Sequence, residues 1–368
     1  MICILRLSCC VLLLLFASCG RPPLAAPAAD FPKRLAVPEH GAYTGAYMDF
    51  GDTEDDVTLE GIEGFEDLVG KRQAIVASSS YWGEQTFPAA NVRIIFRHGS
   101  IPLIFWSPWD KPYNEDAGPD QFSLTNILAG KWDRYIDMWA DAARDFQQPL
   151  MVSFANEMNG TWFPWSGHFY GAGKELPKSG QTEPDRFEGP ETFKKAYRYV
   201  VDRVRARGAT NILWVFHAMN YSYPQDTWNL ADQYYPGADY VDWLGISVYG
   251  KQYAEETWTP FFPIFDWPYT ELTQLDPVKP IMVAEWGVGE YPASGNKAAF
   301  IKEALETMKK YPRLKAAVFW HERWQNEDDT YSNLRVNSSP EALAAFRAGV
   351  ADSYWLGEPI LKPTRAGN

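Results

Sequence analysis

The stretch PLMVSFANEMNGTWFPW, residues 149–165, begins as one kind of structure and ends as another. Leu150 to Phe154 is apolar except for Ser153, the pattern of a strand buried on both faces in a parallel sheet. The run then closes on Asn156, Glu157 and Asn159, followed by Trp162, Phe163, Pro164 and Trp165. A solvated loop has no need of so many aromatics. A core strand has no place for a carboxylate without a partner.

Seven more apolar runs share this form: GAYTGAYMDF (41–50), QAIVASSSYW (73–82), PLIFWSPW (102–109), NILWVFHAMN (211–220), VDWLGISVYG (241–250), PIMVAEWGV (280–288) and AAVFWHERW (316–324). Helical spacing of apolar residues falls between them, over Trp132–Phe146, Phe193–Arg207 (with Gly208 as a stop) and Lys297–Lys310. Eight strands alternating with helices predict a single-domain α/β fold, a (β/α)8 barrel; a doubly wound sheet would share the alternation. The runs finish in polar or aromatic residues: Asp49, Trp82, Trp109, Glu157, His217, Asn220, Tyr249, Glu285 and Trp320. Barrel sites gather at the C-terminal ends of the strands, so this asymmetry favours the barrel. Two long connections, 158–190 and the aromatic-rich 251–279, are expected to rise as loops beside one cleft.

The chain of 368 residues has a formal net charge of −13 and is 15% aromatic, with 16 Trp. That balance excludes a nucleic-acid partner, which needs a basic surface, and speaks against an anionic polymer. So many indoles suggest that some are displayed for binding. Arg6 precedes a short apolar run, Val11 to Phe16, that reads as an export signal and is too short to span a bilayer. Phe16-Ala17-Ser18-Cys19 is similar to a bacterial lipobox with Cys19 as the lipidated residue; Ala26-Pro27-Ala28 is an alternative cleavage site. Residues 1–19 are thus read as a lipoprotein-type signal, 20–38 as a Pro/Ala linker and 39–358 as the domain. An exported protein is expected, either attached to the bacterial cell envelope or secreted. All four cysteines, Cys3, Cys9, Cys10 and Cys19, precede the domain, which therefore has no disulfide or thiolate metal site.

Glu157 closes the fourth run and Glu285 the seventh, and two acids at matching buried strand ends are hard to explain as structural ion pairs. An Asn-Glu pair ending strand four and a Glu ending strand seven resemble the retaining glycoside hydrolases of clan A. Within that clan EMNGTWFPW resembles glycoside hydrolase family 26, best known for endo-β-mannanases. The resemblance implies Glu157 as acid/base and Glu285 as nucleophile in a double displacement. It implies Asn156 as the partner of a sugar 2-hydroxyl, Tyr249 as the phenol that orients Glu285, and Trp320 as the indole beneath the reacting sugar. Trp162, Trp165, Trp109 and Trp106 are candidate sugar platforms, each equally a core residue. His217 could orient a carboxylate, contact sugar or serve as a satisfied structural histidine. Family mannanases carry His where this chain has Asn156, so β-1,3- or mixed-linkage glucan and xylan stand open beside mannan, which is placed first.

No metal or cofactor is expected: the sequence contains no H-E-x-x-H, P-loop or G-x-S-x-G. Asp52, Glu54, Asp55 and Asp56 are read as a solvated acidic loop, and Arg93, Arg97 and His98 as a solvated helical face. The expected partner is a neutral β-linked polysaccharide, and the expected state a monomer. The non-enzyme alternative, a carbohydrate-binding barrel without catalysis, is disfavoured by the presence of both acids.

If Cys19 anchors the chain, a Cys19→Ala variant expressed in a bacterial host should move from the membrane to the soluble fraction. An unmodified protein already in the soluble fraction would favour cleavage near Ala28 instead.

Overall fold

The computed structural model describes residues 33–51, 54–110, 118–178, 180, 184–326 and 328–363. The expected signal, with Cys19, and most of the expected linker lie outside the described residues. Among the described residues, no helix is long and apolar enough to cross a membrane.

Each of the eight apolar runs forms a strand: β1 Ala42–Tyr47, β2 Ile75–Tyr81, β3 Ile101–Ser107, β4 Leu150–Phe154, β5 Ile212–Met219, β6 Trp243–Tyr249, β7 Ile281–Gly287 and β8 Leu314–Trp320. All pair in parallel with their sequence neighbours. β8 returns to β1 through the register Tyr43↔Ala316 to Tyr47↔Trp320, which closes the barrel. Closure explains the near-continuous apolar runs, since a closed parallel barrel under a ring of helices buries both faces of every strand.

Besides the short helix Leu124–Leu128, the helices among the described residues are α1 Leu59–Val69, α2 Ala89–His98, α3 Asp133–Phe146, α4 Glu188–Ala206, the single turn α5 Ala231–Tyr234, α6 Phe261–Leu275, α7 Lys297–Met308 and α8 Pro340–Val350. Their starts follow capping chemistry: Thr58, Asn296 and Ser339 each accept a backbone N–H of the first turn from α1, α7 and α8. Arg203 on α4 bridges Asp133 and Asp137 on α3, each at 2.8 Å, and ties two neighbouring helices across the barrel's outside.

Three expectations need correction. Residues 251–279 are not mainly loop, because α6 occupies their second half. Phe261, Phe265, Tyr269 and Leu272 recur at helical spacing and are buried, while Phe262 and Trp267 face solvent. The aromatics and the internal Pro268 mask that period, being weak helix formers. The folded unit also begins earlier and ends later than 39–358. Lys33–Leu35, within the stretch read as linker, pairs antiparallel with Leu361–Pro363. His98 is not solvated: its ring lies between Glu66 on α1 and Ser100, each at 3.1 Å. Arg93 and Arg97 are exposed as expected.

Between the barrel wall and α3, Trp106 stacks on Trp139 with ring centroids 4.2 Å apart, and Trp82 tilts against Trp106 at 5.2 Å. Trp106 is therefore core and no sugar platform. Trp139→Ala should cost about 3–5 kcal/mol, the range for emptying a buried aromatic site. Urea denaturation would read this, and a loss under about 1 kcal/mol would contradict the packing described.

Candidate active site

The C-terminal end of β4 breaks strand geometry at the residues where the sequence changes character. Ala155 and Glu157 have φ of +52° and +54°, a left-handed conformation that costs non-glycine residues about 1–2 kcal/mol each. Alternation along a strand would send neighbouring side chains to opposite faces. The kink instead brings Asn156 and Glu157 to the barrel mouth together, each nearly buried. Neighbouring groups hold it in place. The Glu157 N–H donates to the His217 carbonyl at 2.8 Å, and Trp165 Nε1 donates to the Asn156 carbonyl at 2.7 Å. The Asn159 amide clasps β5, accepting the Met219 N–H at 2.9 Å and donating to its carbonyl at 3.1 Å.

Glu157 Oε2 accepts the Trp162 indole N–H at 3.0 Å. To reach it, the ring folds over Gly160, where a β-carbon would lie 2.4 Å from Trp162 Cζ2. Glycine is required there for close approach. The Asn156 side chain has no hydrogen-bond partner among the described residues and stands free at the mouth.

Glu285 arrives by a second irregularity. Ile246 pairs with Val283 and Ser247 with Glu285, so β7 carries one extra residue, Ala284. Such bulges re-aim side chains. Tyr249 Oη donates to Glu285 Oε2 at 2.8 Å. His217 lies beneath, its Nδ1 3.1 Å from Ser153 Oγ, its Nε2 2.8 Å from Ser247 Oγ and 4.0 Å from Glu285 Oε1. One oxygen of Glu157, one of Glu285 and a ring nitrogen of His217 all lie within 4.8 Å of one another. Such a trio could by count ligate a metal ion, but both imidazole nitrogens are already engaged by serine hydroxyls.

The electrostatics follow from burial. Glu285 is pushed well above the usual carboxylate range, first by burial and then by the Glu157 carboxylate, with Tyr249 pulling the other way. Each of two carboxyls this close disfavours ionisation of the other. Burial also holds His217 neutral, down to about 3. With 1% of its surface exposed, His217 cannot reach a sugar; it supports the floor of the site.

The indoles divide. Trp320, at the end of β8, stacks on Tyr47 (4.2 Å, 20°), tilts against Phe105 at 5.9 Å and keeps 6% of its surface exposed at the barrel mouth. Trp162 is half-buried at the rim. Trp165 is 1% exposed and stacked on Phe163 at 4.5 Å, so it is a strut and no platform. Trp109 is nearly buried, edge-on to both. Beside Tyr249 opens a pocket of about 230 Å³, lined in part by Asn220, Tyr221, Gln252 and Glu256.

Two acids were misjudged or missed. Glu54, read as part of a solvated loop, is buried; it accepts from Ser79 Oγ at 2.7 Å and Tyr81 Oη at 3.3 Å, and burial pushes it up to about 7. Glu322 is also buried, and burial followed by the Glu54 charge pushes it up to about 8. The one sequence signal for Glu322 was its place two residues beyond the end of an apolar run.

The model of glycosyl hydrolase family 26 matches residues 121–333. Endoglucanase H of Acetivibrio thermocellus is 30% identical over 294 residues, covering 78% of this chain and 29% of that protein. A mannan endo-1,4-beta-mannosidase of Bacillus subtilis is 22% identical over 249 residues, covering 67% of this chain and 58% of its own length. The chain thus spans less than two thirds of either curated relative. Among solved structures, the catalytic domain of the Bacillus sp. JAMB-750 endo-beta-1,4-mannanase superposes with a TM-score of 0.61 at 20% identity, covering 86% of this chain and 87% of that one. That likeness establishes the fold.

The site's buried groups set opposing pH dependences. His217 and His321, each held near 3 against a usual 6.5, bind protons only when unfolded, so their contribution to stability falls as pH drops from 6.5 to 3. Glu54, Glu322 and Glu285 are raised above 4.5, so the folded state holds the extra protons and stability falls as pH rises from 4.5 toward 8. Calorimetry should place the highest Tm between pH 4.5 and 6.5, with Glu54→Gln flattening the decline above it. A Tm that climbs from pH 6.5 to 8 would contradict this burial pattern.

Proposed function

Because this chain belongs to glycosyl hydrolase family 26, we propose that it is a retaining endo-hydrolase of a neutral β-linked polysaccharide, with Glu157 as acid/base and Glu285 as nucleophile. The observation that carries the reading is the approach of the two carboxyls to within 4.8 Å. Inverting pairs stand roughly 6.5–9.5 Å apart to admit a water; retaining pairs stand at about 5–5.5 Å. At the shorter distance Glu285 itself attacks the anomeric carbon. Glu157 delivers its proton to the leaving oxygen, and the Trp162 N–H holds that carboxyl in place. Water then opens the glycosyl-enzyme from the same face, with Glu157 as base. Tyr249 fixes the attacking oxygen of Glu285 and stabilises its charge before attack.

Asn156 supports a choice of substrate. Mannose and glucose differ in the direction of the 2-hydroxyl, and the free Asn156 amide is the group placed to meet it. Family mannanases carry His there, and a relative 30% identical over 294 residues is named an endoglucanase, whereas a mannan endo-1,4-beta-mannosidase reaches 30% over only 169 residues. We therefore place a β-glucan ahead of mannan, reversing the order read from the sequence; mannan stands second on the similarity to the mannosidase of Bacillus subtilis.

A reducing-sugar assay on β-glucans, mannan and xylan would test the class, with a spread of oligosaccharides expected early. Glu157→Ala should lose about 10²–10⁴-fold on natural substrate, retain turnover of aryl glycosides with good leaving groups, and be rescued by azide. Glu285→Ala should be inactive on all of them. Proton NMR of the first product should show the β-anomer; an α-anomer appearing first would remove Glu285 from the nucleophile role.

A further inference from the structure

We propose that Glu322 is a positioning residue for the sugar-binding floor: its carboxyl, accepting the Trp320 indole N–H, fixes the in-plane orientation of that ring. The inference rests on the hydrolase reading above, in which Trp320 faces substrate. Stacking on Tyr47 (4.2 Å, 20°) sets the height and tilt of the indole but lets it rotate within its own plane, because dispersion between flat rings is weakly directional. Beside the tilted contact with Phe105 at 5.9 Å, the directional restraint against rotation is a hydrogen bond, Trp320 Nε1 to Glu322 Oε2 at 2.7 Å, between buried groups.

Glu322 is itself fixed. Its carbonyl accepts the Leu334 N–H at 2.8 Å, and the preceding residue, His321, donates its N–H to the Tyr47 carbonyl at 3.0 Å and accepts the Val336 N–H at 3.0 Å. Arg335 pairs with Asp49 at the end of β1. The charged groups facing Glu322 are Glu54, Asp49 and Arg335, and Glu285 also feels its charge. The two acids and burial favour its protonated form near neutrality, an uncharged acceptor that a glutamine amide reproduces. No local sequence reason places an acid here, since a buried carboxyl costs stability unless it has a task.

The test uses Glu322→Gln, Glu322→Ala and the same changes in a Trp320→Phe background, which keeps a ring and removes the N–H. Glu322→Gln should stay within about twofold of the parent. Glu322→Ala should lower kcat/KM about tenfold, the scale of one buried hydrogen bond, with both proteins melting cooperatively. In Trp320→Phe, Glu322→Ala should change kcat/KM by less than about twofold, because the two residues act as one unit. The indole N–H NMR signal of Trp320, assigned by its loss in Trp320→Phe, should exchange slowly in the parent and in Glu322→Gln, and fast in Glu322→Ala.

Full additivity of Glu322→Ala with Trp320→Phe would overturn the proposal, as would a Gln variant as damaged as the Ala variant, or an indole signal indifferent to Glu322. A parent inactive on every glycan would instead sink the hydrolase reading, and the indole signal would still report on the link between Glu322 and Trp320.

Discussion

Two carboxyl groups within 4.8 Å, both buried, form the constraint around which the rest of this barrel is arranged. Like charges at that distance in a poorly solvated mouth cannot both persist. The surroundings supply directed, uncharged donors to both acids. A phenol points at Glu285 and an indole at Glu157, so each acid gains a hydrogen bond from an uncharged donor. An arginine in either place would hold the acids permanently ionised and remove the proton that the chemistry needs.

The backbone accepts strain to reach this arrangement. Left-handed residues at the end of β4 and a bulge in β7 are separate departures from ideal strands, and both serve to aim an acid inward. Beneath them, His217 between two serines forms a neutral polar layer. Its neutrality matters, since an imidazolium there would pull a proton from the carboxyl pair above it.

The fold was legible because a closed parallel barrel demands long apolar runs, and these runs end where polar residues begin. Glu157 and Glu285 were legible for the same reason: a carboxylate after five buried residues has no bland explanation. The indoles were not legible individually. Trp106, Trp165 and Trp320 are chemically identical, and only the packing of distant residues such as Trp139, Phe163 and Tyr47 decides which are struts of the core and which keeps some surface exposed. Glu54 was hidden by its neighbours, because three acids around one buried acid read as a solvated cluster. The helix at Phe261–Leu275 was hidden by composition, since proline and aromatics belong equally to loops. His98 looked like part of a basic face until Glu66, from another helix, was placed against it.

The antiparallel clasp of Lys33–Leu35 with Leu361–Pro363 has a geometric consequence. Arg34 pairs with Asp242 at the start of β6, and Ala36 bonds to Ile360 just below the start of β1, so the clasp sits at the N-terminal rim of the barrel. The mouth is at the other rim. A tether joined at either end would therefore act like a stalk under a cup, holding the open side away from whatever surface the stalk grows from. A long, stiff polymer could then cross the mouth without colliding with that support, whichever end carried the stalk.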